Sequence, residues 1–180
     1  VDTETSSLDP HQADLIGVSL SSKIGKACYI PIGHKSSKCI KKDIVIKKLK
    51  PLLEDPSVKK IGQNIKFDFI VLYKQGITVS SMEDTMLMSY VLDAGKNRHN
   101  MDTLSEIHLG HKTISFKEIV GTGKKEINFS EVEIDKAKDY AAEDADVTFR
   151  LYKKFIKNLK AEKMVNIYEI FEKPLIKILA

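Results

Sequence analysis

Val1-Asp2-Thr3-Glu4-Thr5 is the stretch that decides the fold, because its two acids need partners that only a particular topology supplies. On an extended strand, side chains two residues apart leave the same face, so Asp2 and Glu4 lie side by side, about 6.6 Å apart at the backbone. Two bare anions at this spacing repel each other, whereas divalent ions such as Mg²⁺ or Mn²⁺ prefer oxygen ligands. Asp-x-Glu is also common at solvated strand ends, so a metal site requires further acids at the same point.

Two later segments supply such acids. Residues 62–68, with the sequence GQNIKFD, follow a short apolar run and open a helix, which places Asp68 in a first helical turn after a strand. Residues 140–144 lie in a long helical pattern, in which side chains four apart share a face, so Tyr140 and Asp144 project together. The sequence therefore predicts one site built from four acids and a tyrosine.

This constellation resembles the DEDDy class of 3′→5′ exonucleases. Five segments in family order, covering nearly the whole chain, are similar to the proofreading exonuclease domain of bacterial DNA polymerase I: DTET at 2–5, GQNIKFD at 62–68, DTML at 84–87, MDTL at 101–104 and YAAEDAD at 140–146. The histidine variety of this superfamily carries its histidine five residues before the last acid, where this chain has Asp139. Ser6 and Phe67 depart from the family pattern, in which aspartate and tyrosine are expected.

The resemblance implies hydrolysis of the terminal phosphodiester with release of 5′-mononucleotides. Two ions, Mg²⁺ or Mn²⁺ with Zn²⁺ as an alternative at one site, would stabilise the attacking and leaving oxygens. The implied metal ligands are Asp2, Glu4, Asp68 and Asp144. Asp2 would bridge both ions, Glu4 and Asp144 would complete the site of the nucleophile-bearing ion, and Asp68 would hold the second. Tyr140 would orient the attacking water, because a phenol pKa of about 10 is too high for a general base.

The resemblance also implies contacts to a single-stranded 3′ end of DNA. The candidate substrate-binding residues are Thr5, Leu8, Asn64, Lys66, Phe67, Arg98 and Phe116. Leu8 would act as an apolar wedge between the last bases, and aromatic rings would stack on unpaired bases. Lys66 and Arg98 are candidate phosphate partners. Core packing explains Phe67 and Phe116 equally well, whereas Leu8 in a polar turn is harder to explain as core.

Composition and hydropathy patterning limit the number of domains, the localisation and the redox state of the cysteines. A chain of 180 residues with 42% hydrophobic and 30% charged residues fits one globular domain, expected to be a monomer. No apolar run approaches the roughly 20 residues that span a bilayer, so we expect a cytoplasmic protein with no membrane partner. Cys28 and Cys39 lack a C-x-x-C spacing and are expected to be free thiols. The net charge of +4 allows a polyanionic partner without demanding one.

The alternation of strand and helix patterns predicts an α/β fold. Strands are predicted at 1–5, 15–21, 26–31, 58–62 and 77–79. Helices are predicted at 41–53, interrupted by Pro51, and at 67–75, 84–92, 101–109, 116–120, 133–159 and 164–179. A capping box at Ser130-x-x-Glu133 would open the sixth helix, and Pro174 would bend or break the last. The result is a central mixed five-stranded sheet flanked by helices, which the resemblance identifies as the ribonuclease H-like (DnaQ-like exonuclease) fold.

The resemblance further divides the chain. Residues 1–160 would form the exonuclease domain, and residues 161–180 a C-terminal helix leading toward the polymerase domain of the parent chain. An opening valine suggests a first strand that is short or lacks residues which the parent supplies. The apolar residues of the last helix need a partner surface; they are Ile167, Phe171, Leu175, Ile178 and Leu179.

Two other functions fit the same residues. Ribonuclease D and its relatives share the acids and the tyrosine, so an RNA 3′→5′ exonuclease is one alternative. A non-catalytic scaffold or single-strand-binding module is the other, and it predicts binding without metal-dependent cleavage. His108 and His111 have a helical spacing that suits zinc, but without a third ligand nearby an ordinary polar face is favoured.

Overall fold

The structure is a computed structural model that describes residues 1–35 and 38–180, without the side chain of Lys124. Its strands are β1 (Asp2–Thr5), β2 (Leu15–Lys23), β3 (Lys26–Pro31), β4 (Lys60–Gly62) and β5 (Met82–Asp84). Its helices are α1 (Lys42–Glu54), α2 (Ile65–Tyr73), α3 (Thr85–Asp93), α4 (Met101–Leu109), α5 (Phe116–Val120), α6 (Ile134–Ala161), α7 (Val165–Ile167) and α8 (Lys173–Ile178). A π-helical turn, Tyr168–Glu172, joins α7 to α8, and 3₁₀ turns form at Gly123–Lys125 and Phe129–Glu131.

The five strands pair as a three-stranded antiparallel meander and a parallel pair. The predicted hairpin is confirmed, with β2 paired to β1 on one side and to β3 on the other. Strands β4 and β5 pair in parallel. The amino group of Val1 donates to the carbonyl of Ile61 at 2.7 Å, which brings the start of β1 beside β4. The predicted single five-stranded sheet is thus divided into an antiparallel sheet and a parallel pair, which meet at the start of β1.

Strand β1 is short, as expected. Its pairing with the nine-residue β2 begins at Asp2 opposite Ser19 and shifts register between Glu4 and Thr5. Such a bulge ends regular pairing and redirects the chain. Beyond Ser19, β2 borders an open cleft of about 770 Å³.

Packing around the sheet forms three apolar clusters. One joins β2 to α1 and α2 through residues such as Val18, Leu49 and Ile65. A second joins α3, α4 and α6, with Phe155 and Tyr168 fully buried in it. A third lies under the segment before α6, around the buried ring of Phe129. The long helix α6 packs across β2 and β3 and thereby brings its N-terminal half to the end of β1.

The predicted fifth strand at 77–79 is wrong, because β5 lies at Met82–Asp84. Ile77 and Val79 are buried, as the pattern indicated. The backbone N–H groups of their segment, however, donate to acceptors at the ends of helices rather than to a strand. The Ile77 N–H donates to the carbonyl of Leu72, and the Thr78 N–H donates to the carboxylate of Glu54. Buried N–H groups need partners, and here α1 and α2 supply them instead of a strand.

Two predicted helix details are wrong, and the predicted break of the last helix near Pro174 is confirmed. Helix α1 continues through Pro51 without interruption. Helix α6 begins after Glu133 with no side-chain cap, and the capping box lies at Asn128 and Glu131 around a 3₁₀ turn. The last helix is divided by the π-helical turn, which ends just before Pro174, a residue without an N–H for an i−4 bond.

The C-terminal segment is anchored by polar contacts to β5. The Tyr168 hydroxyl donates to the carboxylate of Glu83 at 3.0 Å and accepts from the Asp84 N–H at 2.9 Å. Lys173 also pairs with the buried Glu83 at 2.9 Å. The predicted apolar stripe is mostly exposed: Ile167, Phe171, Ile178 and Leu179 face solvent, while the buried residues are Tyr168 and Ile176.

Two further observations bear on the predictions from composition. Cys28 and Cys39 are free thiols, as predicted. Within the part of the chain that the structure describes, every helix is too short or too polar to cross a bilayer.

Asp84 connects two helices. Its buried carboxylate accepts from the N–H groups of Asn64 and Ile65 at the start of α2, both at 3.0 Å. It also caps α3, accepting from Met86 at 2.8 Å and Leu87 at 3.4 Å. Unpaired N–H groups in the first turn of a helix need such acceptors. One side chain therefore fixes the starts of both helices.

Asp84→Ala should lower the free energy of unfolding by about 2 to 4 kcal/mol. Each lost cap costs about 1 kcal/mol, and the buried N–H groups left unpaired add to that. Urea denaturation followed by circular dichroism measures the loss. Asp135→Ala, at an exposed acid in the first turn of α6, is the matched control and should change stability by less than about 0.5 kcal/mol. An Asp84 variant as stable as this control would contradict the double-cap reading.

Candidate active site

Strand β1 presents Asp2 and Glu4 toward the N-terminal half of α6. Asp2 lies opposite Ser19 and Glu4 opposite Gly17 in β2. One carboxylate oxygen from each of Asp2, Glu4 and Asp144 lies within 4.8 Å of the others. Among the described residues, these three acids are the one group of at least three His, Cys, Asp or Glu side chains so close together. The strand and helix spacings predicted from the sequence thus converge on one point.

Asp68, on α2, lines the same cleft but is outside this group of three. Its Oδ1 accepts from the Thr3 N–H at 2.8 Å and from the Thr3 hydroxyl at 2.6 Å. Because Thr3 stands between Asp2 and Glu4 on β1, these bonds tie α2 to the strand. Asp68 is in the first turn of α2, as predicted, although the helix begins at Ile65 rather than at Phe67.

Burial and mutual repulsion dominate the electrostatics of the four acids. Burial raises the pKa of Asp2 to about 6. Burial also raises the pKa values of Glu4, Asp68 and Asp144 well above the usual carboxyl range, and the charge of Asp2 adds to each shift. Such shifts are the cost of crowding like charges away from water.

The cluster fits a divalent cation. In the described residues, no lysine or arginine side chain forms an ion pair with any of the four acids. Hard ions such as Mg²⁺ and Mn²⁺ favour carboxylate oxygens and would neutralise the repulsion that raises the pKa values. The donor set of oxygens without thiols or imidazoles therefore suits these ions.

Tyr140 lies one helical turn before Asp144 on α6, and its hydroxyl interacts with the Asp144 carboxylate. Burial raises the pKa of Tyr140, and the charges of Asp144, Glu4 and Asp2 raise it further. The hydroxyl therefore keeps its proton at neutral pH. It can donate or orient a hydrogen bond beside the acids, but it cannot act as an anionic base.

The acids form the floor of a cleft of about 730 Å³. Five of the predicted substrate-binding residues line this cleft: Thr5, Leu8, Asn64, Phe67 and Phe116. Leu8 is 91% exposed at the rim, so it has no core role. Lys66 and Arg98 do not line the cleft, and their role as phosphate partners stays a prediction.

An aromatic wall, Phe116, Phe129 and Tyr140, closes one side of the cleft. The rings of Phe116 and Phe129 are stacked with centroids 6.1 Å apart, and Tyr140 lies 6.1 Å from each of them. Phe116 is partly exposed, whereas Phe129 is buried. Sequence reasoning missed Phe129 and its neighbour Asn128, although the Asn128-x-x-Glu131 capping pattern marks this segment as ordered.

A second missed feature holds the loop before α5. Glu143, next to Asp144, accepts from the Ile114 N–H at 2.6 Å and lies 2.8 Å from the Nε2 of His111. The Thr113 hydroxyl donates to Asp102 at 2.6 Å. His111 is therefore engaged by a carboxylate, and His108 packs edge-on against the ring of Phe155.

Comparisons with known proteins agree with this geometry. The sequence model of the 3′-5′ exonuclease family matches residues 1–160. DNA polymerase I of Rhizobium leguminosarum is 44% identical over 200 residues, and that of Pseudomonas aeruginosa is 42% identical over 186 residues. Each comparison covers 99% of this chain but 20% of the relative, so the chain spans about a fifth of the length of these polymerases.

Solved nuclease structures share the fold. Brucella melitensis NrnC is 25% identical, with a TM-score of 0.68 over 90% of this chain and 73% of that one. Other structures of the same protein are described as bound to pGG and with bound Mg²⁺. These neighbours and the family match confirm the predicted α/β, ribonuclease H-like fold.

The matched region contains all four acids and Tyr140. The resemblance to the exonuclease domain of bacterial DNA polymerase I is therefore confirmed, and the chain belongs to the 3′-5′ exonuclease family, a family of nucleases.

Proposed function

We propose that this chain removes nucleotides from the 3′ end of single-stranded or frayed DNA and releases 5′-mononucleotides. The observation that carries the proposal is the convergence of Asp2, Glu4 and Asp144 within 4.8 Å at the floor of an open cleft. A phosphodiester is anionic, so its hydrolysis at such a floor requires cations between the acids and the substrate.

Two Mg²⁺ or Mn²⁺ ions are the proposed cofactors. When bound, such ions polarise the phosphoryl oxygens and lower the pKa of water. Asp2 is proposed to contact both ions, Glu4 and Asp144 to hold the first with it, and Asp68 to hold the second. The Thr3 bonds to Asp68 support this division, because they hold that carboxylate beside β1 while Asp2, Glu4 and Asp144 form the closer group of three. The acids orient the cations, and β1 keeps their spacing.

Tyr140 is proposed to position the attacking water. Its raised pKa keeps the hydroxyl protonated, and its place beside Asp144 puts that hydroxyl next to the proposed metal ligands. A protonated hydroxyl can accept and donate hydrogen bonds, so it can fix the orientation of a water without removing its proton. Orientation of this kind lowers a barrier by avoiding the entropy cost of alignment.

The rim of the cleft is proposed to hold the unpaired strand. Leu8 projects from the turn after β1, and Phe67 and Phe116 line the walls. Apolar side chains and aromatic rings hold bases without regard to sequence. A 3′ end would thus be bound through its bases at the rim while its last phosphate lies over the acids.

The proposed setting is proofreading within a DNA polymerase I in the bacterial cytoplasm. Two relatives that are 44% and 42% identical are polymerases about five times as long as this chain, which supports residues 1–160 as their exonuclease domain. Residues 161–180 would lead toward the polymerase domain, and the exposed Phe171, Ile178 and Leu179 would face it.

An RNA 3′→5′ exonuclease is the second candidate function. It is favoured by the likeness to NrnC, whose structure has been determined bound to pGG. The four acids would serve either nucleic acid, since they act on the phosphodiester rather than on the sugar. Digestion of DNA and RNA of the same sequence separates the two candidates.

With Mg²⁺ or Mn²⁺, the protein should shorten a 5′-labelled single-stranded DNA from its 3′ end. Asp2→Ala and Asp144→Ala should each lose at least about a hundredfold in rate, because metal-ion stabilisation of the transition state is worth several kcal/mol. Gel analysis of the ladder measures the rate, and circular dichroism checks folding.

Asp139→Ala is the matched control, since it removes an exposed acid from the same helix and should leave the rate unchanged. Cleavage that survives in Asp144→Ala would contradict the site. Faster digestion of the RNA would favour the second candidate, and binding without cleavage would identify a scaffold.

Tyr140→Phe should lower kcat by roughly tenfold to a hundredfold with little change in KM, because orientation of the water is lost while the cleft is intact. Single-turnover and steady-state rates on the same oligonucleotide provide the two constants. Tyr73→Phe, on an exposed face of α2, is the control and should behave as the wild type. A change confined to KM would instead assign Tyr140 to substrate binding.

Leu8→Ala should raise KM for single-stranded DNA by about tenfold, in line with the transfer energy of a buried leucine side chain. Because Leu8 is exposed, the free energy of unfolding should change by less than about 0.5 kcal/mol. Ile24→Ala, in the exposed turn between β2 and β3, is the matched apolar control. Equal KM values for both variants would remove Leu8 from the substrate path.

A further inference from the structure

His34 lies just after β3 and is 93% buried, with 7% of its surface exposed, outside the lining of the cleft. Its Nδ1 is 3.1 Å from the carbonyl oxygen of Val132, and its Nε2 is 2.6 Å from the hydroxyl of Tyr29. A carbonyl can only accept, so Nδ1 carries the proton. Burial lowers the pKa of His34 and favours the neutral ring, whose Nε2 then accepts from Tyr29. Both ring nitrogens are therefore engaged in a defined tautomer.

Through Tyr29, His34 reaches the strand position opposite Glu4. The Tyr29 ring covers Gly17, where an added Cβ would collide with the Tyr29 hydroxyl and ring carbons. Gly17 is the β2 partner of Glu4. The charge of Glu4, after burial, raises the pKa of Tyr29, which agrees with their closeness. The hydrogen bond from Tyr29 to His34 thus fixes a ring that packs directly beside one of the proposed metal ligands.

Through Phe129, His34 reaches Tyr140. The His34 and Phe129 rings lie 5.7 Å apart, and Phe129 lies 6.1 Å from Tyr140. The bond from His34 to Val132 holds the same segment, and the Lys35 N–H donates to the carbonyl of Ser130 at 2.8 Å. The ring of Phe129 therefore contacts both His34 and Tyr140.

We propose that His34 is a positioning residue that fixes Tyr140 relative to Glu4, by clamping Tyr29 on one side and the Phe129 segment on the other. This proposal rests on the proposed function, in which Tyr140 orients the attacking water. His34 itself touches neither the acids nor the substrate cleft. Its removal would leave the acids in place and allow the Phe129 ring, and with it the Tyr140 hydroxyl, to shift.

The position of the Tyr140 ring can be monitored by ¹⁹F NMR, independently of catalytic activity. In protein labelled with 3-fluorotyrosine, the six tyrosines give separate ¹⁹F signals, and Tyr140→Phe identifies the signal of Tyr140. His34→Ala should shift that signal. His34→Asn, which retains a donor near the Nδ1 position for Val132, should restore it in part. His108→Ala is the matched control, because His108 also packs edge-on against a phenylalanine, Phe155, but outside the cleft.

Steady-state kinetics then test whether His34 and Tyr140 act as one unit. His34→Ala should lower kcat by roughly tenfold or more and keep KM within about twofold of the wild type. In the Tyr140→Phe background, the same change should have almost no further effect, because residues acting through one group are not additive. If His34→Ala acted only through a general loss of structure, its effect on kcat would instead multiply the effect of Tyr140→Phe.

The outcomes are distinct. An unmoved Tyr140 signal in folded His34→Ala protein, or additive losses in the double variant, would overturn the role of His34 while leaving the exonuclease proposal intact. A wild-type protein that fails to cleave DNA would overturn the proposed function, and the ¹⁹F shift would still decide whether His34 controls the placement of Tyr140.

Discussion

Crowding of like charges is the constraint on which the rest of the structure depends. Three carboxylate oxygens within 4.8 Å repel one another, and the burial that raises their pKa values makes the repulsion stronger. A flexible chain would relax by moving them apart. Here three rigid elements hold the acids: β1 carries Asp2 and Glu4, α2 carries Asp68 and is tied to β1 through Thr3, and the 28-residue helix α6 carries Asp144. A cation that binds only this arrangement would also stabilise the fold.

The cleft above the acids combines a charged floor with an apolar rim and wall. Its floor is anionic and suits cations, whereas Leu8 at the rim and Phe116 on the wall are apolar and suit bases. A nucleic acid strand has the complementary division, with charged phosphates along one side and flat rings along the other. A strand end bound as proposed would therefore be oriented before any base-specific contact is made.

The parts of this site that follow local periodicity could be predicted from the sequence. Asp2 and Glu4 share a strand face, and Tyr140 and Asp144 share a helix face, because those spacings depend on neighbouring residues alone. The segment at 77–79 shows the limit of that method. Its apolar pattern correctly indicates burial, but it cannot tell whether the N–H groups bond to a strand or to helix ends.

Residues whose roles depend on distant contacts could not be found this way. His34 contacts Val132, 98 residues later in the chain, and only the folded structure brings Phe129 between Phe116 and Tyr140. The two overlapping capping patterns near residue 130 show a related difficulty. Either serine or asparagine can cap a helix, and in the structure the capping box forms at Asn128, around a 3₁₀ turn.

The double cap at Asp84 makes one acid of the site depend on a distant part of the chain. The first turn of α2 is completed by a carboxylate that follows it by 19 residues, measured from Ile65. A chain that ended before Asp84 would leave the Asn64 and Ile65 N–H groups without this acceptor. Asp84 itself lies at the end of β5, which pairs in parallel with β4. The place of Asp68 beside Thr3 therefore depends on parallel strand pairing as well as on the local helix that carries the acid.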